Sequence, residues 1–213
     1  MKNYEELNDM QIDVLREIGN IGAGNAATAL ATMLDEKVDI SVPKVLITDF
    51  DTAVSALGGA ETMTVGVLVN FQGEANGMIM FLLMMEEARD ILDILIGDNE
   101  EYREEEENTE DNYLSDLKLS AIKEIGNILG SSYINAIATL TGLRIVVSVP
   151  YIAIDMAGAL MSAPLIEFGS IGDKVMFIEE SFAGEKNKLI SNIVMFAEME
   201  TIKSIMDRLG IEG

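Results

Sequence analysis

Two stretches of the chain carry one pattern of polar residues: Asp or Ser, three residues, Glu, two residues, Asn, and then twenty-two residues to a Pro. The first is Asp13, Glu17, Asn20 and Pro43, and the second is Ser120, Glu124, Asn127 and Pro150. The 213 residues include no histidine and no cysteine. That removes disulfides, thiolate or imidazole metal sites, and Ser-His-Asp or Cys-His catalysis. Chemistry at these positions is therefore confined to carboxylates, amides, hydroxyls and whatever groups a partner brings.

The spacing of each pattern suits one side of a helix. With Asp13 at zero on a wheel of about 100° per residue, Glu17 falls near +40° and Asn20 near −20°. Val14, Leu15, Ile18 and Ile21 take the arc from roughly 80° to 200°, so an apolar face points inward and the triplet outward. Ser120, Glu124 and Asn127 repeat the three angles, backed by Ala121, Ile122, Ile125 and Ile128. Exposed Asp, Glu, Ser and Asn on a helix are ordinarily just solvated. Asn is a poor helix former, however, because its amide competes with the backbone. Its retention in both copies, where other positions have drifted, points to function.

The elements around the triplets repeat as well. Leu15–Ile21 returns as Ile122–Ile128, an offset of 107, and Val42-Pro43 returns at that offset as Val149-Pro150. With small insertions, Val65 to Met84 corresponds to Val175 to Phe196, and Glu86 to Gly97 to Glu198 to Gly210. Each unit reads as long helix, strand, variable stretch, β-hairpin and closing helix. The fold class is α+β: an internally duplicated helix-strand-hairpin-helix unit with pseudo-two-fold symmetry, its sheets flanked by helices, which are expected on one side. The repeats, about 1–97 and 113–213, make one domain, because a half of this size barely buries a sheet alone. The acidic stretch Asp98 to Asn112 has no apolar periodicity and reads as the linker between them.

Other features are assigned to structure. Gly19, Gly22 and Gly24 lack the preceding strand and the order of a dinucleotide fingerprint, and no Gly-Lys-Ser/Thr follows, so close packing through Gly22-Ala-Gly24 is the reading. The 14 methionines, Met78, Met80, Met84 and Met85 among them, read as core filler. A net charge of −23 repels nucleic-acid phosphates and leaves proteins or cations as partners. No apolar run reaches the eighteen residues of a membrane span: Tyr151 to Pro164 is too short and contains Asp155, so the chain reads as soluble and cytoplasmic without membrane insertion.

The doubled motif, and essentially the whole chain with it, resembles the CheC phosphatases of chemotaxis, relatives of CheX and of the flagellar switch protein FliY. The resemblance implies a phosphatase that hydrolyses the aspartyl phosphate of the response regulator CheY. It implies that Asn20 and Asn127 enter the regulator's active site and hydrogen-bond the attacking water, while Glu17 and Glu124 dock on its lysine. An amide cannot serve as a general base near neutral pH, but it can orient a water. Mg²⁺ belongs to the regulator, and the chain needs no cofactor of its own. Asp13 and Ser120 support the interface or the helix surface, and Pro43 and Pro150 fix where a strand begins beside the helix. A second implied partner is the receptor deamidase CheD. The alternative is a non-catalytic adaptor for CheD or the flagellar switch, and a remoter one is a metal-dependent hydrolase using the acidic linker. The duplication is compatible with a monomer, since one chain already supplies two halves.

Overall fold

A computed structural model of the chain describes residues 4–34, 39–40, 44–96, 114–167, 174–183 and 188–211. Pro43 and the acidic linker lie outside these residues. Two helices of 26 residues dominate: α1, Asp9–Leu34, and, numbering in chain order, α4, Asp116–Thr141. Their starts are set by local chemistry. Asn8 Oδ1 accepts from Gln11 N–H at 3.0 Å while Gln11 Oε1 accepts from Asn8 N–H at 3.0 Å, a reciprocal cap on α1. Ser115 caps α4 through a 3.4 Å bond from Lys118 N–H, and Gly142, at φ 69°, ends it in the left-handed region.

All the described strands join one antiparallel sheet. Two hairpins, β3 (Met63–Gly73) with β4 (Gly77–Met84) and β7 (Lys174–Ala183) with β8 (Lys188–Ala197), meet where β4 pairs β8. The remaining strands cross over. β1 (Asp39–Ile40) and β2 (Lys44–Asp49), which follow α1, pair with β7 of the second hairpin. β5 (Ile145–Val147) and β6 (Tyr151–Met156), which follow α4, pair with β3 of the first. Each half thus completes the other half's sheet.

Alternation along the central strands splits the core in two. Val65, Val67, Val69, Ile79, Phe81, Ile178 and Ile193 face α1, α4, α3 (Met85–Ile96) and α6 (Met199–Arg208). Met78, Met80, Leu82, Phe177, Val194 and Phe196 face α2 (Phe50–Ala56) and α5 (Ala157–Glu167). Helices therefore flank both faces, which corrects the expectation of one covered side. The physical sign was the nearly unbroken apolar run of β4, typical of a strand buried on both faces.

Three glycines bring the long helices close to their neighbours. A Cβ on Gly22 would overlap the ring of Tyr133, a fully buried side chain of α4. Cβ atoms at Gly19 and Gly126 would come within 2.6 Å of Val45 and 2.5 Å of Val67, so both helices lie directly on strands. Gly24, expected to pack as Gly22 does, instead faces open space. The start of α1 is also tethered: Tyr4 OH donates to Ala197 C=O at 3.2 Å and accepts from Ala197 N–H at 3.1 Å, at the end of β8.

Two outcomes follow. Gly22→Ala lowers unfolding free energy by about 1–3 kcal/mol through overpacking, whereas Gly24→Ala raises it by about 0.5–1 kcal/mol through helix propensity; urea denaturation reads both signs. Burial pushes the Tyr4 hydroxyl up to about 12. Since the unfolded value is lower, near 10.0, its stabilising contribution is complete below that pH and is lost as pH climbs toward 12. Urea midpoints between pH 9 and pH 12 fall more steeply for the wild type than for Tyr4→Phe.

Candidate functional site

The outward faces of α1 and α4 carry the two triplets. On α1, Leu15, Ile18, Gly19 and Gly22 are buried, while Asp13, Glu17 and Asn20 are exposed. On α4, Ile122, Ile125, Gly126 and Leu129 are buried, Ser120 and Glu124 are exposed, and Asn127 is half-buried. Val14, Ile21, Ala121 and Ile128 are half-buried. Val14 and Ala121 pack at the edge of the core, and glycines take the places where α1 meets Tyr133 and where each long helix lies on a strand.

The members of each triplet differ in how they are held. Asp13 is paired with Arg16 at 2.8 Å on the open surface, where such a pair contributes little stability. Ser120 instead donates to the carbonyl of Asp116 at 2.9 Å, one turn back. Asn20 Nδ2 donates to Glu17 Oε2 at 3.5 Å, the outer limit of a hydrogen bond, so the amide carbonyl and its other N–H face solvent. Among the described residues the Glu124 and Asn127 side chains make no hydrogen bond. Both Glu/Asn pairs can therefore take up a partner's donors and acceptors without first breaking a strong internal bond.

Pro150 lies where β5 gives way to β6. Val147 pairs with Phe71 and Tyr151 with Leu68, so three residues, 148–150, face two, 69–70. This is a bulge, a place that tolerates a residue with no N–H. Ser148 maintains the pairing through it: its N–H donates to Asn70 C=O at 2.8 Å, and its Oγ accepts from Asn70 N–H at 3.0 Å.

A groove of about 360 Å³ lies between the start of α1 and α6, lined by Glu6, Asn8, Gln11, Lys203, Met206, Asp207 and Ile211. None of the triplet residues lines it. Among the described residues no group of three or more carboxylates is placed to hold a metal ion, and no helix is long and apolar enough to cross a membrane. The triplets sit on convex helix surface, an arrangement suited to a protein partner that supplies the cleft.

The CheC-like family model matches residues 10–47 and 117–154, two segments offset by 107 that hold both triplets and both prolines. A Bacillus subtilis protein named CheY-P phosphatase CheC is 32% identical over 212 residues, covering 99% of each chain. The chain belongs to the CheC family. Thermotoga maritima FliY, at 24% identity, superposes with a TM-score of 0.70 over 96% of this chain and 98% of its own. A Borrelia burgdorferi structure, described as a CheX-CheY-BeF3-Mg+2 complex, matches with a TM-score of 0.50 and 16% identity, over 88% of this chain and 99% of that one. The CheC-like segments thus run from the first turn of each long helix into the strand it sends across the sheet.

Sequence reasoning identified the triplets but not Tyr133, whose partner at Gly22 is 111 positions away, nor the difference in burial between Asn20 and Asn127. If Asn20 is free of structural duty, Asn20→Ala raises stability by about 0.5 kcal/mol, the gain in helix propensity. A urea titration showing a loss above about 1 kcal/mol instead would assign Asn20 a structural hydrogen bond.

Proposed function

We propose that the chain accelerates hydrolysis of the aspartyl phosphate of a CheY-type response regulator in the cytoplasm, with one site on α1 and one on α4. The observation that carries this reading is the duplicated, outward-facing Glu/Asn pair, free to enter a partner's cleft. The Bacillus relative's name supplies the substrate class, and the Borrelia complex is a precedent for a protein of this fold bound to CheY.

In this mechanism the amide of Asn20 or Asn127 enters the regulator's cleft and holds a water in line with the phosphorus. Water oxygen attacks, the bond to the aspartate oxygen breaks, and inorganic phosphate leaves. Positioning is the contribution an amide can make, as a Gln does in GTP hydrolysis. Glu17 or Glu124, within about 6 Å of helix from every other member of its triplet (about 1.5 Å per residue), accepts from the regulator's lysine and fixes the register. The regulator brings its own Mg²⁺ and lysine, which stabilise charge on the phosphoryl oxygens. Asp13 and Ser120 shape the surface beside the pair. CheD is a second proposed partner, and a monomer with two sites is the proposed functional unit.

The test is the decay of radiolabelled phosphorylated CheY with Mg²⁺ present. Wild type speeds the decay, each of Asn20→Ala and Asn127→Ala keeps the other site's share, and the double variant loses at least about hundredfold in turnover. Combined Glu17→Ala and Glu124→Ala weakens binding of the regulator. Undiminished hydrolysis by the folded double Asn variant would sink the assignment.

A further inference from the structure

Each stripe begins with an apolar residue that the Glu/Asn chemistry does not use. Met10 precedes Asp13 by three residues, Leu117 precedes Ser120 by three, and the two are again 107 positions apart. On the same wheel Met10 falls near +60°, so Met10, Asp13, Glu17 and Asn20 lie within a strip about 80° wide. Both side chains are exposed, Met10 by 62% and Leu117 by 43%. A single exposed apolar residue is ordinary. Exposure at the equivalent position of both copies is not explained that way.

The local structure holds the two in the same manner. Asn8 and Ser115, also 107 apart, cap the helices, placing Met10 and Leu117 at the second helical residue of α1 and α4. The next residue in each case, Gln11 or Lys118, is buried. The apolar side chain therefore projects from a turn fixed by a cap on one side and a buried neighbour on the other. Little backbone freedom is left to lose on binding.

We propose that Met10 and Leu117 are docking contacts for the phosphorylated regulator, each packing on apolar surface beside the cleft that receives Asn20 or Asn127. The inference rests on the phosphatase reading and adds to it, at each site, an apolar contact that contributes to affinity beside the Glu. Ten residues of helix put Met10 about 15 Å from Asn20 along the axis. An interface burying about 800 Å² per partner is roughly 30 Å across, so a protein engaged at Asn20 also covers Met10. The charge of −23 gives no attraction toward an acidic phosphorylated cleft, and an apolar contact supplies binding that such charge cannot.

The test isolates one site at a time. In an Asn127→Ala background, Met10→Ala raises KM for phosphorylated CheY about tenfold and leaves kcat within about twofold, the pattern of lost uniform binding. Leu117→Ala does the same in an Asn20→Ala background. Met10→Leu restores KM, and Leu140→Ala, an exposed apolar change at the far end of α4, alters neither constant. Unfolding midpoints stay where they were. An unchanged KM in both backgrounds overturns the proposal, as does a change confined to self-association in sedimentation. If the wild type does not accelerate hydrolysis, the phosphatase reading fails on its own. Titration with beryllofluoride-activated CheY then decides the docking claim: about tenfold weaker binding by Met10→Ala with Leu117→Ala supports it, and no binding by the wild type overturns both.

Discussion

The ring of Tyr133 occupies the space that any side chain at position 22 would need, and the arrangement of the two long helices depends on that contact. With no Cβ at Gly22, α1 and α4 lie against one another on a single face of the sheet. Gly19 on Val45 and Gly126 on Val67 hold each helix down on a strand as well. Three contacts without slack fix rotation about both helix axes. Rotation is what determines where a triplet at 3.6-residue spacing points, so close packing on the inner face orients the polar outer face.

The two stripes share a geometry but not a chemistry in detail. The first motif position is an acid paired with Arg16 in one copy and a hydroxyl turned back on its own helix in the other. Asn20 is exposed and shares a long hydrogen bond with Glu17, whereas Asn127 is half-buried. A partner meeting α1 must part a weak internal contact, and one meeting α4 must fit a partly enclosed amide. Equal sequence patterns thus give two helix faces whose costs of engagement differ, although both present the same Glu and Asn.

The helical faces were legible because periodicity is a local property: Leu15, Ile18, Ile122 and Ile125 mark the inner side within a few turns. The duplication was legible because a fixed offset joins the helix, the triplet and the proline. What could not be read locally was the pairing. Nothing in Lys44–Asp49 says that its partner is β7, more than a hundred residues away, and not the nearer β3. The second layer of helices was hidden for a different reason. α2 is only seven residues long and α5 contains Pro164, so neither shows the clean periodicity of α1. In the site, residue types and spacing came from sequence, while the weakness of the Asn20–Glu17 bond and the bulge at Pro150 needed coordinates.

The exchange of strands also bears on how the chain can be made. β1 and β2 emerge early in synthesis but have no ladder partner until β7, and β4 waits for β8, residues 188–197. The first hairpin, whose β4 is buried on both faces, must therefore remain incompletely covered until β8 has left the ribosome. Such long-range pairing makes folding slow and leaves sticky edges open in the interval. A nascent chain of this design would gain from a holding chaperone, and its sheet would complete only after β8 has left the ribosome.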